Sequence, residues 1–86
     1  MSAWFIYIIR CADNSLYTGI TKDISRRVNE HNSDNVLAAK YTRGRRPVEL
    51  VYKETFANRS TASRREYEIK KMSRPEKEQL IQSARL

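Results

Sequence analysis

Residues 4–20 read WFIYIIRCADNSLYTGI, and this segment contains two apolar runs separated by a polar turn. The first run, residues 4–9, is continuously apolar, aromatic or β-branched, which is typical of a strand buried on both faces. The Asp and Asn of residues 12–15 bond their own backbone and tolerate left-handed angles, so a turn is predicted there. Residues 16–20 return as a second strand. The segment therefore predicts an antiparallel β-hairpin.

The remaining elements are predicted from capping residues and from the spacing of apolar positions. Asp23 is a good N-cap, Pro47 precedes an alternating pattern, and Ser73 with Glu76 has the spacing of a capping box. The predicted elements are a helix to about residue 32, weak helical potential at 36–39, a strand over 48–56, and helices over 61–72 and 73–86. The order strand, strand, helix, strand, helix, helix predicts an α+β fold with a three-stranded antiparallel sheet flanked by helices.

Size and composition restrict the class of protein. The 86 residues make one domain, residues 1–86, because domains usually have roughly 50 to 250 residues. The apolar content of 40% exceeds that of a disordered chain, and no segment approaches the roughly 18 apolar residues of a membrane span. The start of the chain lacks the cationic region of a signal peptide. A single cysteine, Cys11, excludes an internal disulfide. We therefore expect a soluble, cytoplasmic protein without a membrane partner.

The charge of the chain predicts a polyanionic partner. Seventeen Lys and Arg residues against ten Asp and Glu residues give a net charge of +7. Such a domain attracts nucleic acid because displaced counterions favour binding. A solvated basic face without a specific ligand explains the same charge, so composition alone leaves both interpretations open. The densest basic run is residues 40–46, where we expect phosphate contacts from Lys40, Arg43, Arg45 and Arg46.

Two predicted helices carry charged or polar residues on the faces that should be buried. In the first helix, Arg27 and His31 share the i, i+3, i+4, i+7 face with Ile24 and Val28. In the second, Glu66 lies at this spacing between Ala62 and Ile69. A charge held against apolar surface is costly unless it is paired or binds a metal. These three residues are therefore candidates for a functional site.

Each of these residues also has a structural explanation. Arg27 can extend along the sheet edge to water, and His31 can be a satisfied histidine near a helix end. Glu66 can form a capping box with Ser63 or a structural ion pair with Arg27. For Tyr7 and Tyr17 in the strands, the structural explanation is core packing with satisfied hydroxyl groups.

Two short tyrosine motifs stand in the predicted hairpin, with the Arg27 and His31 helix after them. They read Phe5-Ile6-Tyr7 and Tyr17-Thr18-Gly19, and in this order they resemble the motifs of the GIY-YIG nuclease superfamily. Residues 43–51 and 64–71 resemble a narrower group, the compact bacterial single-domain proteins of the YhbQ type. That group is related to the nuclease domain of Slx-type structure-specific endonucleases. The resemblance covers residues 4 to about 82.

The resemblance implies hydrolysis of DNA phosphodiester bonds with Mg²⁺ or Mn²⁺ as cofactor. By their positions in the motifs, it implies that Tyr7 and Tyr17 are the motif tyrosines and that Arg27 is the catalytic arginine. It also implies that His31 is the helix histidine and Glu66 the metal-binding carboxylate. One carboxylate suffices for Mg²⁺ if waters and substrate oxygens complete the octahedron.

The implied roles agree with the chemistry of the side chains. Arg27 offers a fork of donors to phosphate oxygens. Tyr7 or Tyr17 is able to accept the proton of the attacking water if its pKa is lowered. His31 then orients a tyrosine or relays the proton. The sequence does not decide which tyrosine is the base.

The sequence departs from the family motifs at a few positions. Phe5 stands where the first motif usually has Gly, and Thr18 replaces the Ile of the second. The loop at residues 34–37 lacks the glycines expected in a loop that faces DNA. Gly19 closes the second motif, and it removes a side chain where a phosphate backbone can approach.

The leading hypothesis is a metal-dependent DNA endonuclease that acts in DNA repair or processing. Because no major-groove recognition helix is evident, we expect it to recognise shape, with branched or flapped DNA as the substrate class. The alternative is a catalytically silent nucleic-acid-binding module of the same fold. A third class, a protein-interaction domain, requires that Trp4 or Phe5 be exposed. The sequence leaves the oligomeric state open, with a monomer as the working expectation.

Overall fold

A three-stranded antiparallel sheet forms the centre of the fold in the computed structural model, which describes residues 3–84. Strand β1 (Trp4–Arg10) lies between β2 (Leu16–Thr21) and β3 (Glu49–Phe56). The β1–β2 turn contains Asn14 with a φ of 70°, the left-handed geometry that asparagine adopts more readily than most residues. Both strand pairs are antiparallel, and the predicted hairpin is confirmed.

Four helices complete the fold, and their N-caps explain where three of them begin. The side chains of Asp23, Asn58 and Ser73 each accept a hydrogen bond from a backbone N–H in the first turn. The second predicted helix begins two residues earlier than expected because Asn58 itself is the cap. The predicted extension of the last helix to residue 86 lies partly outside the described residues. The helices are α1 (Ile24–Ser33), α2 (Lys40–Arg43), α3 (Arg59–Lys70) and α4 (Arg74–Ser83).

Strand β1 is buried on both faces, as the sequence predicts. Ile6 and Ile8 pack with Ile69 of α3 and Ile81 of α4 on one face. On the other face, Tyr7 and Ile9 form a second cluster, which is the one that α1 covers. Partly buried members of this second cluster are Tyr17, Ile24 and Val28. The sheet is therefore a central layer with helices on both sides, and the predicted α+β class and element order are confirmed.

The segment between α1 and β3 differs from its prediction. Residues 36–39, where weak helical potential is expected, are not helical, and the helical turn is α2 instead. Asp34 explains the difference, because its Oδ1 accepts hydrogen bonds from the backbone N–H groups of Val36 and Leu37, both at 2.8 Å. A side chain that satisfies the backbone in this way competes with helix formation.

Two further properties of the described residues concern membranes and thiols. Within residues 3–84, no helix combines the length and the apolar character needed to cross a bilayer. Cys11 is a buried free thiol.

Candidate active site

Tyr7 and Tyr17 lie side by side on the sheet face that α1 covers. Tyr7 of β1 pairs with Gly19 of β2, and Ile9 pairs with Tyr17, so the register sets the two tyrosines two pairs apart and therefore on the same face. Their ring centroids are 6.4 Å apart. The hairpin alone thus brings the two motif tyrosines together.

His31 of α1 completes this aromatic group. Its ring centroid is 5.8 Å from that of Tyr7 and 5.4 Å from that of Tyr17. The Tyr7 hydroxyl and His31 Nε2 are 2.9 Å apart, and His31 Nδ1 is 2.9 Å from Thr42 Oγ1. His31 and Thr42 are fully buried, and Tyr7 is 1% exposed. The helical spacing predicted that His31 faces the sheet, and this is confirmed.

Burial shifts the protonation equilibria of this group in opposite directions. It raises the pKa of Tyr7 to about 12, while the nearby Arg27 guanidinium acts in the opposite direction. It lowers the pKa of His31 to about 4, and the positive charge of Arg27 adds to this decrease. At neutral pH the pair therefore consists of a phenol and a neutral imidazole.

Gly19 leaves room for the Tyr7 side chain. A β-carbon at Gly19 would lie 2.5 Å from the Tyr7 hydroxyl oxygen and 2.7 Å from Cζ. The space beside this glycine is therefore filled by the phenol. This corrects the expectation that Gly19 opens space for a phosphate backbone, because the side chain of the first motif already occupies it.

Arg27 lies beside Tyr7 at the edge of the aromatic group. Its Nη1 donates to Glu30 Oε1 at 2.9 Å and to the carbonyl oxygen of Leu37 at 2.6 Å. Its side chain is 23% exposed, so part of the guanidinium remains accessible. The alternative in which Arg27 forms a structural ion pair with Glu66 is wrong, because its carboxylate partner is Glu30.

Glu66 lies on α3 between the buried residues Ala62 and Ile69, as its spacing predicts. Its side chain is 23% exposed, and one carboxylate oxygen is 3.3 Å from Lys70 Nζ. The charge of Glu66 contributes to the raised pKa of Tyr7, after burial and the charge of Tyr17. The capping-box alternative is wrong, because α3 begins at Arg59 and not near Ser63.

The implied divalent cation has one candidate ligand from the sequence, the Glu66 carboxylate. It lies on α3, which packs on the Ile6 and Ile8 face of the sheet, opposite the face that carries Tyr7 and Tyr17. Within residues 3–84, no three His, Cys, Asp or Glu side chains form a cluster able to hold a metal. A half-buried carboxylate with an accessible side fits Mg²⁺, which keeps several waters and is often held by one carboxylate plus substrate phosphates. Lys70 would have to release the carboxylate or share it.

The four cations of the basic run differ in how strongly they are engaged. Lys40 and Arg43 are exposed, and Arg43 donates to the carbonyl oxygen of Asn35. Arg45 donates to Asp13 and lies 4.1 Å from the ring centroid of Tyr41. Arg46 is half-buried and donates to three acceptors: His31 O at 2.6 Å, Asp34 O at 2.8 Å and Asn35 Oδ1 at 2.9 Å. Arg45 and Arg46 therefore make structural contacts within the chain.

Sequence reasoning missed three residues that touch this group. Glu30 is assigned to another helix face by spacing, yet it pairs with Arg27 because long side chains three residues apart on a helix meet. Tyr41 stacks on Tyr17 with ring centroids 5.8 Å apart. Thr42 bonds His31. No local pattern in the sequence indicates Thr42. Tyr41 could have been identified, because it is an aromatic residue inside the basic run.

Comparisons with known sequences identify the family of this chain. A family model described as the GIY-YIG catalytic domain matches residues 3–79. A UPF0213 protein of Desulfotalea psychrophila is 56% identical over 82 residues, which cover 95% of this chain and 74% of that protein. A UPF0213 protein of Staphylococcus epidermidis is 54% identical over 82 residues, which cover 95% of this chain and 98% of that protein.

Solved structures show the same fold. The solution NMR structure of a UPF0213 protein from Bacillus halodurans has a TM-score of 0.62 and 45% identity, covering 95% of this chain and 85% of that one. A solution NMR structure of a protein from E. faecalis has a TM-score of 0.65 and 38% identity, covering 96% of this chain and 86% of that one. The resemblance read from the tyrosine motifs is confirmed. This chain belongs to the GIY-YIG domain family, a nuclease fold, and to its group of small single-domain UPF0213 proteins.

Proposed function

We propose that this protein is an endonuclease that hydrolyses DNA phosphodiester bonds with a divalent cation, Mg²⁺ or Mn²⁺, as cofactor. The observation that carries the proposal is the convergence of Tyr7, Tyr17 and His31, whose ring centroids are 5.4 to 6.4 Å apart, with Arg27 beside them. The hairpin and α1 each supply part of this group. A cluster in which burial shifts the pKa values of two members, here Tyr7 and His31, is typical of an active site.

In this proposal Tyr7 and His31 together accept the proton of the attacking water. Tyr7 donates its hydroxyl hydrogen to His31 Nε2 as its oxygen receives the proton from water. The pKa of about 12 for Tyr7 and about 4 for His31 makes complete transfer unfavourable in the resting protein. The two transfers are therefore coupled to the attack, and a bound phosphodiester favours them because its negative charge raises the pKa of the imidazole.

Arg27 and Tyr17 contact the phosphate in this proposal. The partly exposed guanidinium of Arg27 offers parallel donors to the non-bridging oxygens, where negative charge increases during attack. Glu30 and the Leu37 carbonyl hold the guanidinium in place before substrate binds. Tyr17 is more exposed than Tyr7 and lies beside it, so it borders the substrate on the solvent side.

Glu66 binds the divalent cation in this proposal. When bound, the cation stabilises charge on the phosphate and on the leaving oxygen. The half-buried position of Glu66 on α3 and its effect on the pKa of Tyr7 support this assignment.

The DNA is recognised by shape, and branched or flapped DNA is the proposed substrate class, with a role in repair or processing in the cytoplasm. Lys40, Arg43, Arg45 and Arg46 are the proposed phosphate contacts. Arg27, in the site, donates to the carbonyl oxygen of Leu37, and Arg43, in the basic run, donates to the carbonyl oxygen of Asn35. Both arginines therefore contact the same loop, which supports a continuous basic surface from the site to the basic run. Phosphate contacts of this kind orient DNA without reading its sequence.

The test compares Glu66→Gln with Glu68→Gln on plain, nicked and flapped duplexes in the presence of Mg²⁺ or Mn²⁺. Glu68 is a matched control because it lies on the same helix and is exposed, with Arg65 as its partner. We expect Glu66→Gln to lower the cleavage rate by about 100-fold or more while DNA affinity is kept, since the charge on the metal ligand is lost. Glu68→Gln should cut like the parent protein.

Two outcomes would overturn the proposal. If Glu66→Gln cuts as fast as Glu68→Gln, Glu66 does not hold the cation. If the parent protein binds DNA with a clear salt dependence but cuts none of the substrates with either metal, the chain is a silent binding module instead.

A further inference from the structure

Thr42 lies in an unexpected position for a residue of the basic run. It belongs to the helical turn α2, between the exposed residues Tyr41 and Arg43, yet it is fully buried. Its Oγ1 is 2.9 Å from His31 Nδ1 and 3.0 Å from the carbonyl oxygen of Ala39. A threonine hydroxyl has one hydrogen to donate and two lone pairs that accept. The direction of each hydrogen bond therefore decides which ring nitrogen of His31 carries the hydrogen.

Two arrangements of hydrogen atoms are compatible with these distances. In the first, Thr42 donates to Ala39 O, His31 Nδ1–H donates to Thr42 Oγ1, and Tyr7 donates to His31 Nε2. In the second, Thr42 donates to Nδ1 and Nε2–H donates to the Tyr7 oxygen. The first arrangement makes three hydrogen bonds and the second makes two.

The two arrangements also differ at Tyr7. In the second, the buried Tyr7 hydroxyl hydrogen loses its acceptor, since His31 Nε2 is the one acceptor within hydrogen-bond distance of it among residues 3–84. A buried donor without a partner is costly, because it has given up its hydrogen bonds to water and gained none in the protein. The neighbouring Arg27 guanidinium is a donor and offers no acceptor. The first arrangement is therefore favoured.

We propose that Thr42 is a positioning residue that fixes the His31 tautomer with hydrogen on Nδ1, so that the Nε2 lone pair faces the Tyr7 hydroxyl. This inference rests on the proposed function, because it is through Nε2 that the proton of Tyr7 is accepted. The partner of one ring nitrogen sets which form the other adopts. Without the Thr42 hydroxyl, Nδ1 has no acceptor, and the ring then carries its hydrogen on either nitrogen.

The burial of Thr42 explains why one helical turn between α1 and β3 matters for the site. Tyr41, the preceding residue, stacks on Tyr17 with an interplanar angle of 28°. The single turn thus delivers one side chain to each of two catalytic-site aromatic residues, Tyr17 and His31. A substitution in the basic run that displaces α2 would therefore change the positions of Tyr17 and His31, although the substituted residue does not contact them.

The experiment measures the His31 tautomer by two-bond ¹H–¹⁵N NMR correlation in the full chain at neutral pH, with no DNA or metal added. We expect the Nδ1 signal of a protonated nitrogen and the Nε2 signal of an unprotonated one. A parent protein with hydrogen on Nε2 would overturn the inference outright. This readout does not depend on nuclease activity, so it separates failure of this inference from failure of the proposed function.

Variants of Thr42 then test the role in catalysis. Thr42→Val keeps the shape and removes the hydroxyl group, and Thr42→Ser restores the hydroxyl group. Thr55→Val is the control, because Thr55 is an exposed threonine of β3. Loss of the outer hydrogen bond of a metal-bound histidine typically costs about 10- to 100-fold in activity, and we take the same range for His31 because its orientation and tautomer are fixed in the same way. We expect such a loss in the single-turnover rate of Thr42→Val, with DNA affinity unchanged and the His31 tautomer mixed.

Rescue by Thr42→Ser distinguishes positioning from packing. Serine lacks the methyl group but keeps Oγ, so it should retain the Nδ1–H tautomer and most of the rate. If Thr42→Val has the same His31 tautomer and the same cleavage rate as Thr55→Val, the inference is wrong. If Thr42→Val does not fold, the comparison of Thr42→Ser with the parent decides: a soluble serine variant with hydrogen on Nε2 would contradict the role of Oγ.

Discussion

The phenol of Tyr7 covers Gly19 across the β1–β2 pair, so that a β-carbon at Gly19 would lie 2.5 Å from the Tyr7 hydroxyl oxygen. Tyr7 of the first motif therefore has room for its ring only because Gly19, the last residue of the second motif, has no side chain. Since Tyr7 is 1% exposed and its hydroxyl also bonds His31, the ring has little freedom to move away. This contact makes the glycine part of the site although it has no side chain.

We expect Gly19→Ala to destabilise the protein by about 1–3 kcal/mol, as overpacking of a filled core does. It should also displace the Tyr7 hydroxyl from His31 and abolish cleavage. Gly44→Ala is the matched control, because a β-carbon there meets no atom within 4 Å and the φ of Gly44 is −94°. Urea unfolding and cleavage assays check both variants. Equal stability of the two variants would show that the phenol moves aside without cost.

Removing the hydroxyl groups of the two tyrosines separates their roles. Tyr7→Phe leaves His31 Nε2 without its donor, so we expect the cleavage rate to fall about 100- to 10,000-fold, the usual contribution of acid–base catalysis. Tyr17→Phe keeps the stacking on Tyr41, so its cleavage rate should fall less than that of Tyr7→Phe. Single-turnover cleavage of the same labelled duplex by both variants measures the difference. A larger loss for Tyr17→Phe would identify Tyr17 as the base.

The stability of the protein should fall in mildly acidic solution because of His31. Burial lowers the pKa of this fully buried histidine from 6.5 to about 4, so the unfolded chain binds the proton more tightly than the folded one between these values. The free energy of unfolding should therefore decrease as pH falls from about 6.5 to 4, by about 3 kcal/mol in total. Urea titrations at several pH values measure this decrease.

The control for this pH dependence is His31→Gln, because His31 is the single histidine of the chain and the carboxylates take up protons mainly below about pH 5. The variant should lose the slope between pH 6.5 and about 5 even if it is less stable overall. The Arg10–Glu78 ion pair does not obscure the result. Hydrogen bonds from Arg10 lower the pKa of Glu78 to about 2, so its contribution is lost only as pH falls from the ordinary glutamate range toward 2. A variant with the parent slope would refute the role of His31.

The basic run should divide into phosphate contacts and structural contacts. Lys40 is exposed, so we expect Lys40→Ala to change stability by less than about 0.5 kcal/mol. It should reduce the log–log salt slope of DNA binding by about 0.9, the value for one phosphate contact. Arg46→Ala removes three hydrogen bonds, one of them to the carbonyl oxygen of His31, and should cost about 1–3 kcal/mol of stability.

Salt titrations of a fluorescent duplex and urea unfolding measure both quantities for the two variants. Lys40→Ala with an unchanged salt slope would remove this lysine from the DNA surface. Arg46→Ala with parental stability would show that its hydrogen bonds are replaced by water without cost.

Much of the fold and part of the site were predictable because they depend on local patterns. Side chains repeat every three to four positions on a helix, so Arg27 and His31 are assigned to the buried face of their helix from spacing alone. The caps at Asp23 and Ser73 work in the same way, since each bonds the backbone within its own first turn. Glu66 on the α3 face toward the sheet follows from the same periodicity.

The sequence by itself determined the hairpin and the helix faces, because each depends on residues close in the chain. Only the tertiary structure decided that Thr42 bonds His31 and that Arg46 bonds the end of α1. These contacts join residues 11 and 15 positions apart through an irregular loop, whose path follows from hydrogen bonds made by Asp34 and three arginines. No periodicity encodes such a path, since it exists only when both ends of the loop are packed against the sheet.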